Sequence, residues 1–196
     1  MKGQTTTQAV STQLVEKFKQ QARKHKRAHA VSHTDALESV AISNEFNHWK
    51  HVTLLLNEET KKLEKASRHG LIIAVDHKAE DISFTQSFIQ SPDAYFFCKA
   101  ILKDEHRRGY LRRVNESFAD RFLEMQLINT MDALNTLTYY RYDEDKIPDN
   151  FHDVLNLVDP QRDFFASLHV WLRGEFHDGT DFDLRGNDIP ADLYEI

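Results

Sequence analysis

The chain has 196 residues, of which 40% are hydrophobic and 29% are charged, with 6 Gly and 4 Pro. These values are typical of a soluble globular protein, and so few turn residues favour helices over a β-sandwich or barrel. The single cysteine, Cys98, excludes an intramolecular disulfide and a multi-thiolate zinc site, and its apolar surroundings predict a buried core residue. No apolar run approaches a membrane span and the first residues are polar, so we predict a cytoplasmic protein without a membrane partner.

The net charge of −6 is unevenly distributed. Residues 1–69 carry 12 Lys/Arg against 7 Asp/Glu, whereas residues 70–196 carry 13 against 24. After Tyr139 the imbalance is strongest, with 5 basic and 14 acidic residues. Such asymmetry predicts two surfaces with different partners.

The first predicted element follows a polar, flexible N-terminus over residues 1–11. From Thr12, apolar residues recur at three- and four-residue spacing and predict an amphipathic helix that ends near residues 28–31. Its apolar positions are Leu14, Val15, Phe18 and Ala22. The other face is basic.

Two further helices are predicted on either side of a short turn. Ser32 is an N-cap whose hydroxyl accepts from the amide of Asp35, and an apolar stripe follows over Ala36–Ala41. A second stripe begins at Trp49 and continues as a charged stretch to about residue 68. The pattern is typical of a helix-turn-helix, although Glu45 stands where such turns usually have glycine, and a non-glycine residue resists positive φ.

The pattern of residues 70–196 predicts a small β-hairpin and three to five helices. Residues 71–77 are the best strand, pairing with 81–88. Helices are expected after Ser91–Pro92 as far as Gly109, within 111–138 as one or two helices, and over 159–174. The predicted fold class is therefore mainly α (α+β). A basic helix-turn-helix-like module over residues 12–68 precedes an acidic helical part over 70–196 that contains the hairpin.

The basic face of the first helix is the strongest candidate site. Lys and Arg side chains that project together next to a helix-turn-helix can neutralise nucleic-acid phosphates. Three residues of the second helix of the pair are expected to be exposed and to reach bases or backbone. The predicted nucleic-acid-binding residues are Lys17, Lys19, Arg23, Lys24, Lys26, Arg27, Lys50, His51 and Thr53.

Other motifs give weaker indications. His25, His29 and His33 are spaced four apart, but a helix break at Ser32 and neighbouring positive charges disfavour a metal site. Residues 181–192 resemble a calcium loop in which Arg185 occupies a ligand position. The basic cluster 107–113 is expected to pair with carboxylates. No phosphate-binding glycine loop, nucleophile elbow or HExxH motif occurs, so we predict no catalytic residues, no metal and no cofactor.

One short stretch, about a tenth of the chain, resembles a known module. Its pattern is (I/V)-S-H-x-x-A-L-E-x-V-A followed by F-x-x-W, matched by Val31, Ser32, His33, Ala36, Leu37, Glu38, Val40, Ala41, Phe46 and Trp49. It is similar to modules of uncharacterised plasmid and integrated-element proteins, some described as glyoxalase-like. The resemblance implies a bacterial mobile-element setting and supplies no catalytic residues.

The sequence thus predicts a non-enzymatic nucleic-acid-binding or regulatory protein. Two alternatives stay open at this point. One is a protein-interaction module or inhibitor whose acidic C-terminal surface imitates nucleic acid. The other is a hydrolase or nuclease that uses carboxylates within residues 70–196. In the preferred hypothesis the acidic part over 70–196 meets a protein partner or makes a homodimer, and the sequence does not distinguish DNA from RNA.

Overall fold

The computed structural model of the protein describes residues 9–76, 87–112, 127–128, 130–158 and 168–178. The helices are α1 (Thr12–His29), α2 (His33–Ser43), α3 (Trp49–His69), α4 (Ala94–Arg112), α5 (described over 130–134) and α6 (Phe151–Val158). The strands are β1 (Leu71–Val75), β2 (Phe88–Gln90), β3 (Thr138–Tyr142), β4 (His169–Leu172) and β5 (Glu175–Asp178). The mainly helical α+β class is confirmed.

Helices α1, α2 and the first turns of α3 form a three-helix module around its own apolar core. Phe18, Ala36 and Val52 are buried at its centre. The predicted apolar stripes of all three helices point inward, as a 3.6-residue period requires. Apolar burial therefore holds the module together and leaves the other face of α1 to solvent.

The ends of these helices are closed by local hydrogen bonds. Ser32 Oγ accepts from the amide of Asp35 at 3.1 Å, as predicted, and His48 Nδ1 accepts from the amide of His51 at 2.8 Å. Glu38 Oε2 also accepts from the amide of Trp49 at 2.9 Å. Because this bond joins the middle of α2 to the first turn of α3, it fixes one helix against the other.

The strands form one antiparallel sheet in the order β2-β3-β1-β4-β5. In β1, alternate side chains point to opposite faces, and all five are buried. Ile73 and its neighbours meet α6 on one face, while Ile72 and Ala74 meet α3 and α4 on the other. The sheet is thus covered on both faces along its central strand.

Helix α3 contributes to two cores. Val52 in its first half belongs to the three-helix module, whereas Leu63 and Ala66 in its second half pack against the sheet. The helix is followed immediately by β1 through Gly70, whose position leaves no room for a Cβ because one would lie 2.8 Å from the Cα of Ala66. One continuous helix therefore connects the N-terminal module to the sheet.

The predicted hairpin between 71–77 and 81–88 is wrong. Both edges of β1 are occupied, by β3 and by β4, while β2 pairs with β3. Residues 77–86 lie outside the described part of the chain. A hairpin does exist elsewhere, where β4 and β5 are joined at Arg173 and Gly174.

Three predicted helix boundaries are also corrected. The helix expected over 159–174 is wrong at residues 169–172, which form strand β4. Gly174, expected to end that helix, lies in the β4–β5 turn and has φ +86. Gly109 lies inside α4 instead of ending it, and α4 begins at Ala94. The predicted helical stretch 111–138 gives way to strand β3 at Thr138. Within the described ranges, no helix combines the length and the apolarity needed to cross a bilayer.

Candidate functional site

The basic side chains of α1 lie together on its solvent face. The core positions Val15, Phe18 and Ala22 occupy one stripe of the helix, and residues opposite them point away from the module. Five of the predicted residues are exposed and one is half-buried. We call this set the α1 cationic face: Lys17, Lys19, Arg23, Lys24, Lys26 and Arg27.

Little of this positive charge is neutralised within the described part of the chain. Lys19 pairs with Glu16 at 2.6 Å, and this hydrogen bond from Lys19 holds the pKa of the Glu16 carboxyl below its usual range. None of the other cations of the face has a carboxylate within 4.0 Å among the described residues. Asp35 and Glu38, the nearest acids in sequence on α2, are engaged by Ser32 and by the amide of Trp49. The face thus keeps a net positive charge.

The three predicted residues at the start of α3 are placed differently from one another. Lys50 is exposed, as expected. His51 and Thr53 were expected to be exposed and are instead half-buried. The Thr53 hydroxyl donates to the carbonyl of Lys50 at 2.9 Å, and the His51 ring packs beside Phe46 at 6.1 Å between centroids. Of these three residues, Lys50 is the one that is exposed to solvent.

The chain makes a tight turn between α2 and α3, with Glu45 at the position where glycine is usual. The amide of Phe46 bonds to the carbonyl of Ala41 and that of Glu45 to Ile42, both at 3.0 Å, which is the Schellman arrangement at a helix C-terminus. Glu45 has φ +68, the left-handed position usually held by glycine. The tight turn therefore forms despite the missing glycine, at a conformational cost.

Two histidines of α1 lie side by side on the helix. The rings of His25 and His29 lie 4.3 Å apart between centroids, one helical turn from each other. Ala30, with φ +53, ends the helix before His33. Throughout the described ranges, no group of three or more His, Cys, Asp or Glu side chains is arranged to hold a metal ion.

A buried ionic cluster that the sequence did not predict joins α3 to β3. Arg141 donates from Nε to Glu59 Oε1 at 3.2 Å and from Nη2 to Glu59 Oε2 at 3.1 Å. Arg141 Nη1 also donates to Asp143, and the Ser91 hydroxyl donates to Glu59. Burial acts to lower the pKa of Arg141, but the bonds from Glu59 and Asp143 outweigh it and raise that pKa. The partners are distant in sequence, so no local pattern could reveal this cluster.

A cavity of about 330 Å³ opens beside this cluster. One wall is the last turns of α3, and the other is the end of β3 with the loop that follows it. The lining comprises Lys62, Lys65, Ala66, His69, Gly70, Arg141, Tyr142, Asp143, Glu144, Asp145 and Ile147. Positive side chains thus face negative ones across the opening.

The second basic cluster, over 107–113, is paired in its described part. Arg107 Nη2 donates to Asp104 Oδ1 and Arg108 Nε donates to Asp104 Oδ2, each at 2.7 Å. The hydrogen bond from Arg108, which has the larger effect, and the hydrogen bond from Arg107 both lower the pKa of Asp104. The side chains of the rest of this cluster, residues 109–113, and the calcium-like loop 181–192 lie outside the described residues.

Comparison with known proteins finds no family model, curated protein or solved structure that matches the chain.

Proposed function

We propose that the protein binds nucleic acid through the three-helix module. The α1 cationic face supplies the phosphate contacts, and the observation that carries the proposal is that nearly all of its charge lacks a carboxylate partner among the described residues. Phosphate contacts of this kind supply most sequence-independent affinity, because each one releases condensed counterions. A regulatory role within a bacterial mobile element stays a prediction from the resemblance.

The dimensions of the face suit a phosphate backbone. From Lys17 to Arg27 the helix rises about 15 Å, which is close to the axial rise of four base pairs. At 3.6 residues per turn, five of these cations lie on the half of the helix that faces away from Phe18, and Lys26 lies just outside it. A single strand backbone can therefore meet several of them at once.

The α2–α3 pair gives the module a second contact. The Schellman turn at Glu45 and the hydrogen bond that the amide of Trp49 donates to Glu38 hold the two helices in one arrangement. Lys50 is exposed in the first turn of α3, where the helix dipole also favours an anion. We assign Lys50 to a phosphate rather than to a base, since it stands alone there.

The test is a fluorescence anisotropy titration of labelled duplex DNA and of single-stranded RNA with the whole chain. The variant combines Lys17→Gln, Lys24→Gln and Lys26→Gln. A matched control combines Lys61→Gln, Lys103→Gln and Lys146→Gln, which are exposed lysines outside the face and change the net charge equally. We expect the first triple variant to bind at least about tenfold more weakly at 0.1 M salt, and the control to change little.

Equal loss in both triple variants would show that net charge alone governs binding, and would overturn the assignment to the α1 cationic face. No binding of either nucleic acid at low salt would overturn the proposed function itself. The comparison of duplex DNA with RNA identifies the preferred partner.

A further inference from the structure

The cavity beside the buried ionic cluster has two walls of opposite charge. Lys65 stands on α3 and Asp145 on the loop after β3, and neither has an ion-pair partner within 4.0 Å among the described residues. Lys62 also lines the cavity and approaches Asp143 at 4.0 Å. An uncompensated cation and an uncompensated anion thus line the same opening.

The floor of the cavity supplies further donors. Arg141 is 3% exposed and lines the cavity. Its bonds to Glu59 and Asp143 use three of the five N–H groups of a guanidinium, and among the described residues the other two have no side-chain partner. Because Glu59 holds the guanidinium at two points, these donors are fixed in position before a ligand arrives.

We propose that this cavity binds a small zwitterion that carries a carboxylate and an ammonium group, the chemical class of a free α-amino acid. The carboxylate lies between Lys65 and the remaining N–H groups of Arg141, and the ammonium group meets Asp145. Tyr142 and Ile147 also line the cavity and contact the remaining atoms of the bound zwitterion. This site goes beyond nucleic-acid binding and does not depend on it.

Three features favour a small zwitterion over a polyanion or a metal ion. A polyanion would be repelled by the acidic loop, where Asp145 follows Glu144 and Asp143 directly. A metal ion would be repelled by Lys62 and Arg141. The volume of about 330 Å³ lies at the lower end of the range for small-molecule pockets, which suits a compact ligand.

The experiment screens the common free amino acids one by one against the whole chain, by thermal shift and then by isothermal titration calorimetry. We expect at least one of them to raise the unfolding temperature and to give saturable heat. For that amino acid, the matched probes are its carboxamide, which lacks the carboxylate, and its N-acetyl form, which lacks the ammonium group. Each probe should bind at least about tenfold more weakly, since each loses a charge-assisted contact.

Variants locate the site. Lys65→Ala and Asp145→Asn should each weaken binding at least about tenfold, whereas Lys61→Ala and Asp132→Asn, exposed residues outside the cavity, should not. Circular dichroism melting without ligand verifies that each variant folds. Three results would overturn the proposal: no amino acid that binds, equal binding by acetate or inorganic phosphate alone, or unchanged binding in both cavity variants.

Discussion

Arg141 on β3 and Glu59 on α3 form a two-point ion pair across 82 residues of sequence, with N–O distances of 3.2 and 3.1 Å. Both residues are buried, at 3% and 7% exposure. Taking two charges out of water is costly unless each is well hydrogen-bonded, and here Ser91 and Asp143 complete the bonding. The pair fixes α3 against the sheet, and the same helix leads back to the three-helix module.

Breaking this pair should destabilise the fold strongly. Glu59→Ala leaves Arg141 buried with Asp143 as its remaining carboxylate partner among the described residues, and we expect the free energy of unfolding to fall by about 3–5 kcal/mol. The matched control is Glu58→Ala, the exposed neighbour on α3, which should change it by less than about 0.5 kcal/mol. Urea unfolding at neutral pH measures both.

The double variant Glu59→Leu with Arg141→Met separates the cost of an incompletely paired buried charge from the loss of packing. We expect it to be more stable than Glu59→Ala, because no buried charge remains. A double variant that is less stable than the single one would contradict this account of the pair.

The turn at Glu45 should improve with glycine. Glu45 has φ +68, where a side chain costs about 1 kcal/mol and glycine does not. Glu45→Gly should therefore raise the free energy of unfolding by about 0.5–1 kcal/mol. The same exchange inside α3, Glu58→Gly, should lower the free energy of unfolding by about 0.5–1 kcal/mol. Equal losses in the two variants would show that Glu45 is unstrained.

Two adjacent acids on α4, Glu105 and Asp104, should change the pH dependence of the free energy of unfolding in opposite directions. Burial raises the pKa of Glu105, so its ionisation opposes folding at neutral pH, and this penalty disappears as the pH falls through the raised pKa. Glu105→Gln should therefore be more stable than the original chain at pH 7, with the difference shrinking as the solution is acidified. The amide oxygen can still accept from the amide of Phe176, as Glu105 Oε1 does at 3.1 Å.

Asp104 is the control for that experiment. Its pKa is lowered by hydrogen bonds from Arg108 and Arg107, so its ionised form supports folding above the usual Asp pKa and loses this effect as the pH falls through the lowered value. Asp104→Asn should be slightly less stable than the original chain at neutral pH. Thermal melts from pH 3 to pH 8 would refute the account if both variants shifted in the same direction.

Cys98 should be chemically inert in the folded state. The side chain is fully buried between α4, which carries it, and the sheet, and burial raises the pKa of its thiol well above the usual range, which suppresses the reactive thiolate. An aromatic disulfide reagent at pH 8 should titrate no thiol in native buffer and one thiol in concentrated urea. Rapid reaction in native buffer would show that this part of the core opens.

The elements that the sequence predicted well are those fixed by local signals. The bounds of α1 and α2 follow from apolar periodicity and from a capping serine at position 32, and the exposure of Lys17 and Arg27 follows from the same periodicity. Strand β3 has the sequence TYYRY, in which four of the five residues favour strands, so a local signal for this strand was present as well as its pairing with β1 and β2. Strand β4 was mistaken for helix because Asp159–Pro160 and Gly174 imitate helix boundaries. Non-local pairs such as Glu59–Arg141 leave no local signature.

The claim on which the account depends is that the α1 cationic face meets phosphates. Its most direct measurement is the salt dependence of the association constant for a short DNA duplex. With about six uncompensated cations in contact, five from the α1 cationic face and Lys50, the logarithm of that constant should fall against the logarithm of salt concentration with a slope of roughly −5. The triple variant at Lys17, Lys24 and Lys26 should reduce the slope to about −3. A slope near zero, or one that the triple variant leaves unchanged, would contradict the account.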